Sequence, residues 1–99
     1  MPRAGLASQV EEDAYRRKVL ATFLRRGRLT GIPAQLKKRE VLLEKLAEEF
    51  EPERTYTEQE VNRVLVEFHD DVATLRRGLI EHGLMARDGG VYWRTVPVG

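Results

Sequence analysis

Cysteine is absent from the chain, which removes disulfides, zinc ribbons and thiol nucleophiles together and suits a reducing compartment. Histidine occurs only at His69 and His82, short of the ligand set a transition-metal site usually needs. No apolar run approaches the roughly 18–20 residues of a membrane span. The opening residues Met1, Pro2, Arg3, Ala4 and Gly5 contain no apolar stretch long enough for a secretory signal. The hydroxyl residues, from Ser8 to Thr95, offer no nucleophile with an evident base. Repeats and low-complexity tracts are missing too. The expectation is a cytoplasmic protein that is not an enzyme, contacts no membrane and needs no metal or cofactor.

What is present is an ordinary globular composition: 99 residues, 41% hydrophobic and 33% charged, enough for one small domain with a modest core. A net charge of +1 hides a strong segregation. Residues 1–39 hold ten Lys/Arg against three carboxylates, or +7; residues 40–71 hold three Lys/Arg against eleven carboxylates, or −8; residues 72–99 hold four against two, or +2. Such asymmetry marks either a nucleic-acid footprint at the basic end or faces that neutralise each other within a monomer or across a dimer.

The periodicity predicts four helices. Tyr15, Val19 and Phe23, with Leu20 and Leu24, form an apolar stripe on a helix from Val10 to Arg26, stopped by Gly27. Arg28–Ile32 is a brief extended candidate, closed by Gly31 and Pro33. A second helix runs from Ala34 to Phe50, with Leu36, Leu43, Leu46, Ala47 and Phe50 on its apolar face. Thr55 and Tyr56 are β-formers, and Thr57 with Glu60 is a capping box opening a third helix, whose stripe is Val61, Val64, Leu65 and Phe68. After the break at His69, either Asp70 or Asp71 caps a fourth helix, built on Val72, Leu75 and Leu79 and ended by Gly83. The period then changes. Leu84–Arg87 and Val91–Thr95 read as strands around Asp88-Gly89-Gly90, with Pro97 as the stop.

The expected fold is mainly α with a small β-hairpin, an α+β chain. Two closely joined helices, the second followed by a hairpin, describe a winged-helix-like helix-turn-helix, here with an extra N-terminal helix. Thr55–Tyr56 pairing with the hairpin would complete a three-stranded sheet. The expected layout is a flexible N-terminus over 1–9, a helix over 10–27 acting as brace or dimerisation arm, and a winged-helix-like domain over 28–96.

On this fold the fourth helix is the candidate reader. With Leu75 at the centre of the buried face, Asp70, Ala73, Thr74, Arg77 and Glu81 turn outward. Arg77 would reach guanine or phosphate and Thr74 a phosphate or thymine methyl, whereas Asp70 and Asp71 repel a phosphate backbone. Arg87 and Arg94 are candidate wing residues straddling the backbone, with Trp93 between them; Trp93 is expected in the core rather than as a stacking platform. Arg25, Arg26, Arg28, Lys37, Lys38 and Arg39 supply non-specific phosphate contacts, or a solvated face that balances the acidic middle. His69-Asp70-Asp71 is the one polar constellation resembling a metal or acid–base site, and reads better as a capped turn. Two functions follow: a nucleic-acid-binding, transcription-regulator-like module with DNA as partner, or a protein-interaction or dimerisation module, paired with another regulatory protein or a second copy.

A spaced set of residues carries a family resemblance. Lys37-Lys38-Arg39, Leu43, Phe50, Tyr56, Glu58, Glu60-Val61-Asn62, His69-Asp70-Asp71, Leu75-Arg76-Arg77, Leu79-Ile80, Gly83, Arg87 and Tyr92-Trp93-Arg94 resemble an uncharacterised bacterial domain of unknown function, over about Arg28 to Thr95. The resemblance implies a domain that stands alone or lies C-terminal to an ArsR-type helix-turn-helix in transcriptional regulators. It implies no catalytic or ligand residues.

Overall fold

The computed structural model describes residues 2–95, with side chains from Ser8 onward. It is a mixed α+β structure with four helices and two small antiparallel sheets. Helix α1 spans Pro2–Phe23, and so begins well before the expected Val10 and takes in residues 2–9. Proline suits a first helical turn, where its missing N–H is not needed. The expected stop at Pro97 and the expected domain limit at 96 lie outside the described residues.

The end of α1 departs from the expectation. Leu24–Arg25 (β1) and Arg28–Leu29 (β2) form a miniature antiparallel hairpin, paired Leu24 to Leu29 and Arg25 to Arg28. Gly27 is therefore a turn residue and not a helix terminator. Arg26 at φ 53° and Gly27 at φ 78° give both turn positions the positive φ that a two-residue hairpin needs. Tertiary bonds hold it in place: Leu29 N–H donates to Phe68 C=O and Thr30 N–H to Phe23 C=O, each at 2.7 Å.

Helix α2 (Leu36–Ala47) buries Val41, Leu42, Leu43, Leu46 and Ala47. Leu36, expected on that face, is 64% exposed at the first turn of α2, where it borders a cleft toward α4. Strand β3 (Thr55–Thr57) leads directly into α3 (Glu58–Leu65). The expected capping box closes there: Thr57 Oγ1 accepts from Glu60 N–H at 3.1 Å, and Glu60 Oε1 accepts from Thr57 N–H at 2.8 Å. Asp71 caps α4 (Val72–Glu81), accepting from Thr74 N–H at 3.2 Å. Beyond α4, Gly83 takes φ 70°, and Leu84 N–H returns to Leu79 C=O at 2.9 Å, a glycine-assisted helix end.

Strands β4 (Met85–Asp88) and β5 (Val91–Arg94) close around Gly89-Gly90, both at positive φ. Asp88 thus belongs to the strand and pairs with Val91. Strand β3 joins β5, giving the order β3-β5-β4 and completing the expected three-stranded sheet.

One face of that sheet covers the core. Tyr92 and Met85 are almost fully buried, with Phe50 and Tyr56 meeting edge to face at 5.1 Å. Trp93 is not among the buried residues; it is half-buried and pairs with Thr55 and Ala86 on the other sheet face. Tyr92 takes the core position expected for Trp93, because alternation along β5 admits only one of two neighbours. Gly78 lies buried inside α4, where a Cβ would stand 2.9 Å from Leu43 Cδ1; its absence lets α2 and α4 approach closely.

Candidate functional site

The candidate residues fall into three groups. Arg77 and Arg87 are exposed and line one shallow groove between α4 and the β4–β5 hairpin, of about 260 Å³, with Ala73, Arg76, Ile80, Glu81 and Tyr92. The Arg87 guanidinium lies 5.7 Å from the Tyr92 ring centroid, within cation–π reach. Tyr92 Oη donates to Glu58 Oε1 at 2.8 Å; burial first, and this bond second, hold the phenol above its usual pKa. Glu58 also lies 3.7 Å from Arg76 Nε, and Arg76 donates to Asn62 Oδ1. Arg76 is therefore a floor residue tied to α3, and Arg77 an exposed cation at the rim with no ion pair among the described residues.

Arg94 and Arg87 lie on the same face of the hairpin at different levels. Arg94 sits at the root of the hairpin, opposite Met85, and donates to Phe50 C=O at 3.2 Å, whereas Arg87 lies toward the tip, opposite Tyr92. The wing pair expected from the sequence is separated because antiparallel register carries Arg94 away from the turn. Thr74 is also engaged: its hydroxyl donates to Asp71 Oδ2 at 2.7 Å. That bond, with the Thr74 N–H, holds the Asp71 carboxyl below the usual range.

The second group surrounds the small hairpin. Arg25 and Arg26 are exposed at its turn. Arg28 is a structural link, donating to Val66 C=O at 3.0 Å, to Glu67 C=O at 3.2 Å and to Asp70 Oδ1 at 3.1 Å. Asp70 is thereby drawn into an ion pair with the basic segment, and His69 Nδ1 accepts from Asp71 N–H at 3.0 Å. The His69-Asp70-Asp71 constellation is a bonded turn that ties β2, α3 and α4 together.

The third group opens α2. Lys37 lies 4.4 Å from the Tyr15 ring centroid and Lys38 is half-buried. Arg39, the last residue of the expected Lys37-Lys38-Arg39 cluster, borders a narrow cleft with Leu36, Thr74, Arg77 and His82. Its Nη2 donates to Ala34 C=O at 3.2 Å, and its Nε is buried without a hydrogen-bond partner among the described residues. Only the packing of α2 on α4 brings it to Arg77. The run Lys37-Lys38-Arg39 was the available signal.

The elements from β2 to β5 are the part of the chain that a known family covers. The family described as "Uncharacterized protein conserved in bacteria (DUF2087)" matches residues 28–94, and the chain belongs to it. No curated protein and no solved structure matches the chain. Among the described residues no helix is long and apolar enough to cross a membrane.

Proposed function

We propose that this chain is a winged-helix-type module that binds duplex nucleic acid, with α4 as the reading helix and the β4–β5 hairpin as a short wing. The observation that carries the reading is the groove in which exposed Arg77 of α4 meets exposed Arg87 of the hairpin. Element order supports it as well: α2, β3, α3, α4 and a hairpin, with sheet order β3-β5-β4, is the arrangement a winged helix-turn-helix requires. Arg25, Arg26 and Lys37 add exposed positive charge outside the groove. Asp70 counts less against phosphate than its position suggests, since Arg28 pairs with it. In this reading the module serves transcription regulation, the setting that the family resemblance implies through fusion to ArsR-type regulators.

A salt titration of duplex DNA binding tests the reading, because a phosphate-binding protein loses affinity steeply as salt rises. Arg77→Ala is expected to weaken binding and to flatten the logarithmic salt slope by about one unit. Absence of binding at low salt overturns the proposal. A second reading, a protein-interaction module, is favoured by one feature: a groove of about 500 Å³ lined by Tyr56, Val64 and Phe68, by the carboxylates Glu49, Glu51, Glu60 and Glu67, and by Arg54 and Arg63. The four carboxylates outnumber the two arginines, and that excess of negative charge would suit a basic polypeptide better than phosphate.

A further inference from the structure

Helix α1 has 22 residues and α2, against which it packs, has 12, or about 33 Å against about 18 Å at the usual rise. Every side chain from Ser8 to Ala14 is exposed, and burial begins only at Tyr15 and Val19. Part of α1 therefore stands clear of the body, although a bare helical stretch of this length is marginal in water.

The outward side of α1 is patterned. At 100° per residue, Val10, Ala14, Arg17 and Ala21 lie within about 40° of the direction opposite buried Val19. Val10 is 64% exposed, and the alanines permit close approach of another helix. Glu11 and Lys18 flank this line on one side, and Asp13 lies on the other side beside Arg17. Among the described residues none of these four charged side chains has an ion-pair partner; Asp13 only accepts a hydrogen bond from Gln9.

We propose that α1 pairs antiparallel with α1 of a second copy, about a two-fold axis near Ala14. Such an axis brings like flanks together with the chain direction reversed. Glu11 then meets Lys18 of the second copy, Asp13 meets Arg17, and symmetry repeats each pair. A parallel two-fold pairing brings opposite flanks together at the same level and sets Glu11 against Asp13 and Lys18 against Arg17, like charge against like, so the charge pattern selects the antiparallel form. This two-fold, self-complementary contact is the commonest way for identical chains to associate. It leaves Arg77 and Arg87 untouched and does not depend on the nucleic-acid reading.

Sedimentation equilibrium on the full chain, from micromolar to millimolar concentration at low and high salt, tests the pairing. A monomer–dimer equilibrium that weakens with salt is expected. Lys18→Glu, at an exposed position that should not disturb folding, is expected to raise the dimer dissociation constant about tenfold, since it reverses two pairs at once. The swap Glu11→Lys with Lys18→Glu restores the complementarity and the affinity. The cysteine-free background adds a geometric readout: Ala14→Cys should give a disulfide-linked dimer under mild oxidation. Ala21→Cys, about 20 Å from its counterpart in the antiparallel pair, should not. A chain monomeric throughout, a dimer indifferent to Lys18→Glu, or equal cross-linking at both cysteine positions overturns the proposal.

Discussion

Arg76 and Arg77 are neighbours in sequence with different energetic roles. The Arg76 side chain is 22% exposed and holds Glu58 and Asn62, joining α4 to α3. Arg76→Ala removes packing of its stem and leaves the half-buried Asn62 oxygen short of a donor, a loss of about 1–2 kcal/mol. Arg77→Ala should stay within about 0.5 kcal/mol of the parent, as exposed positions usually do. Urea unfolding of both variants decides; a destabilising Arg77→Ala with a neutral Arg76→Ala would refute the assignment. At the caps, Thr57→Ala should cost about 1 kcal/mol, since it orphans the Glu60 N–H at the start of α3. The carboxyls of Glu60 and Asp71 are both held below their usual range, Glu60 chiefly by the Thr57 backbone N–H and Asp71 chiefly by the Thr74 hydroxyl. A carboxyl lowered in the folded state stabilises above its unfolded value, and that contribution is lost as the pH falls through the folded value. Stability should therefore decline below about pH 4. Asp71→Asn should make the acid limb of the urea midpoint shallower, and an unchanged limb would show that Asp71 is not coupled to folding.

At the scale of elements, α2 and α4 approach closely where Gly78 faces Leu43. Gly78→Ala tests which of two effects wins. Helix propensity favours alanine by about 1 kcal/mol, whereas overpacking a buried contact costs about 1–3 kcal/mol. Leu43 is 1% exposed and has little room to yield, so a net loss of about 1 kcal/mol is expected in chemical unfolding. Boundaries were least legible at element ends. Strands β1 and β2 have two residues each, too few to show a period, and Arg26 carries none of the usual marks of a turn. That hairpin exists because Leu29 is buried and its N–H reaches Phe68, a partner distant in sequence.

For the molecule as a whole, α1 is packed on the body through its C-terminal half. Val19 is buried against the body, Tyr15, Leu20 and Phe23 pack beside it, and Arg16 pairs with Glu44 of α2. Deleting residues 1–27 uncovers this surface. A loss of at least about 2 kcal/mol is expected from the apolar area alone, or on the order of 10 °C in melting temperature for a chain of this size. An unchanged melting temperature would mean that α1 contributes nothing to the fold. The segregated charges meet only in part. Arg16–Glu44 and Arg28–Asp70 join the basic first segment to the acidic middle, and most of the remaining charge faces outward.

Much of the helical framework was determined by the sequence alone. The Thr57–Glu60 capping box, the Val61–Leu65 stripe, the Asp71 cap and the Gly89-Gly90 turn are local features, in which each residue's partner lies within a few positions along the chain. The three-stranded sheet followed from the same signals, once Thr55–Tyr56 had a hairpin to join. Tertiary structure decided what depends on distant partners. It placed Tyr92 in the core and Trp93 on the opposite sheet face, separated Arg94 from Arg87, brought Arg39 beside Arg77, and turned Leu36 to solvent. Periodicity defines an apolar face but not which neighbour covers it, and a charge pattern counts cations without showing which are already paired.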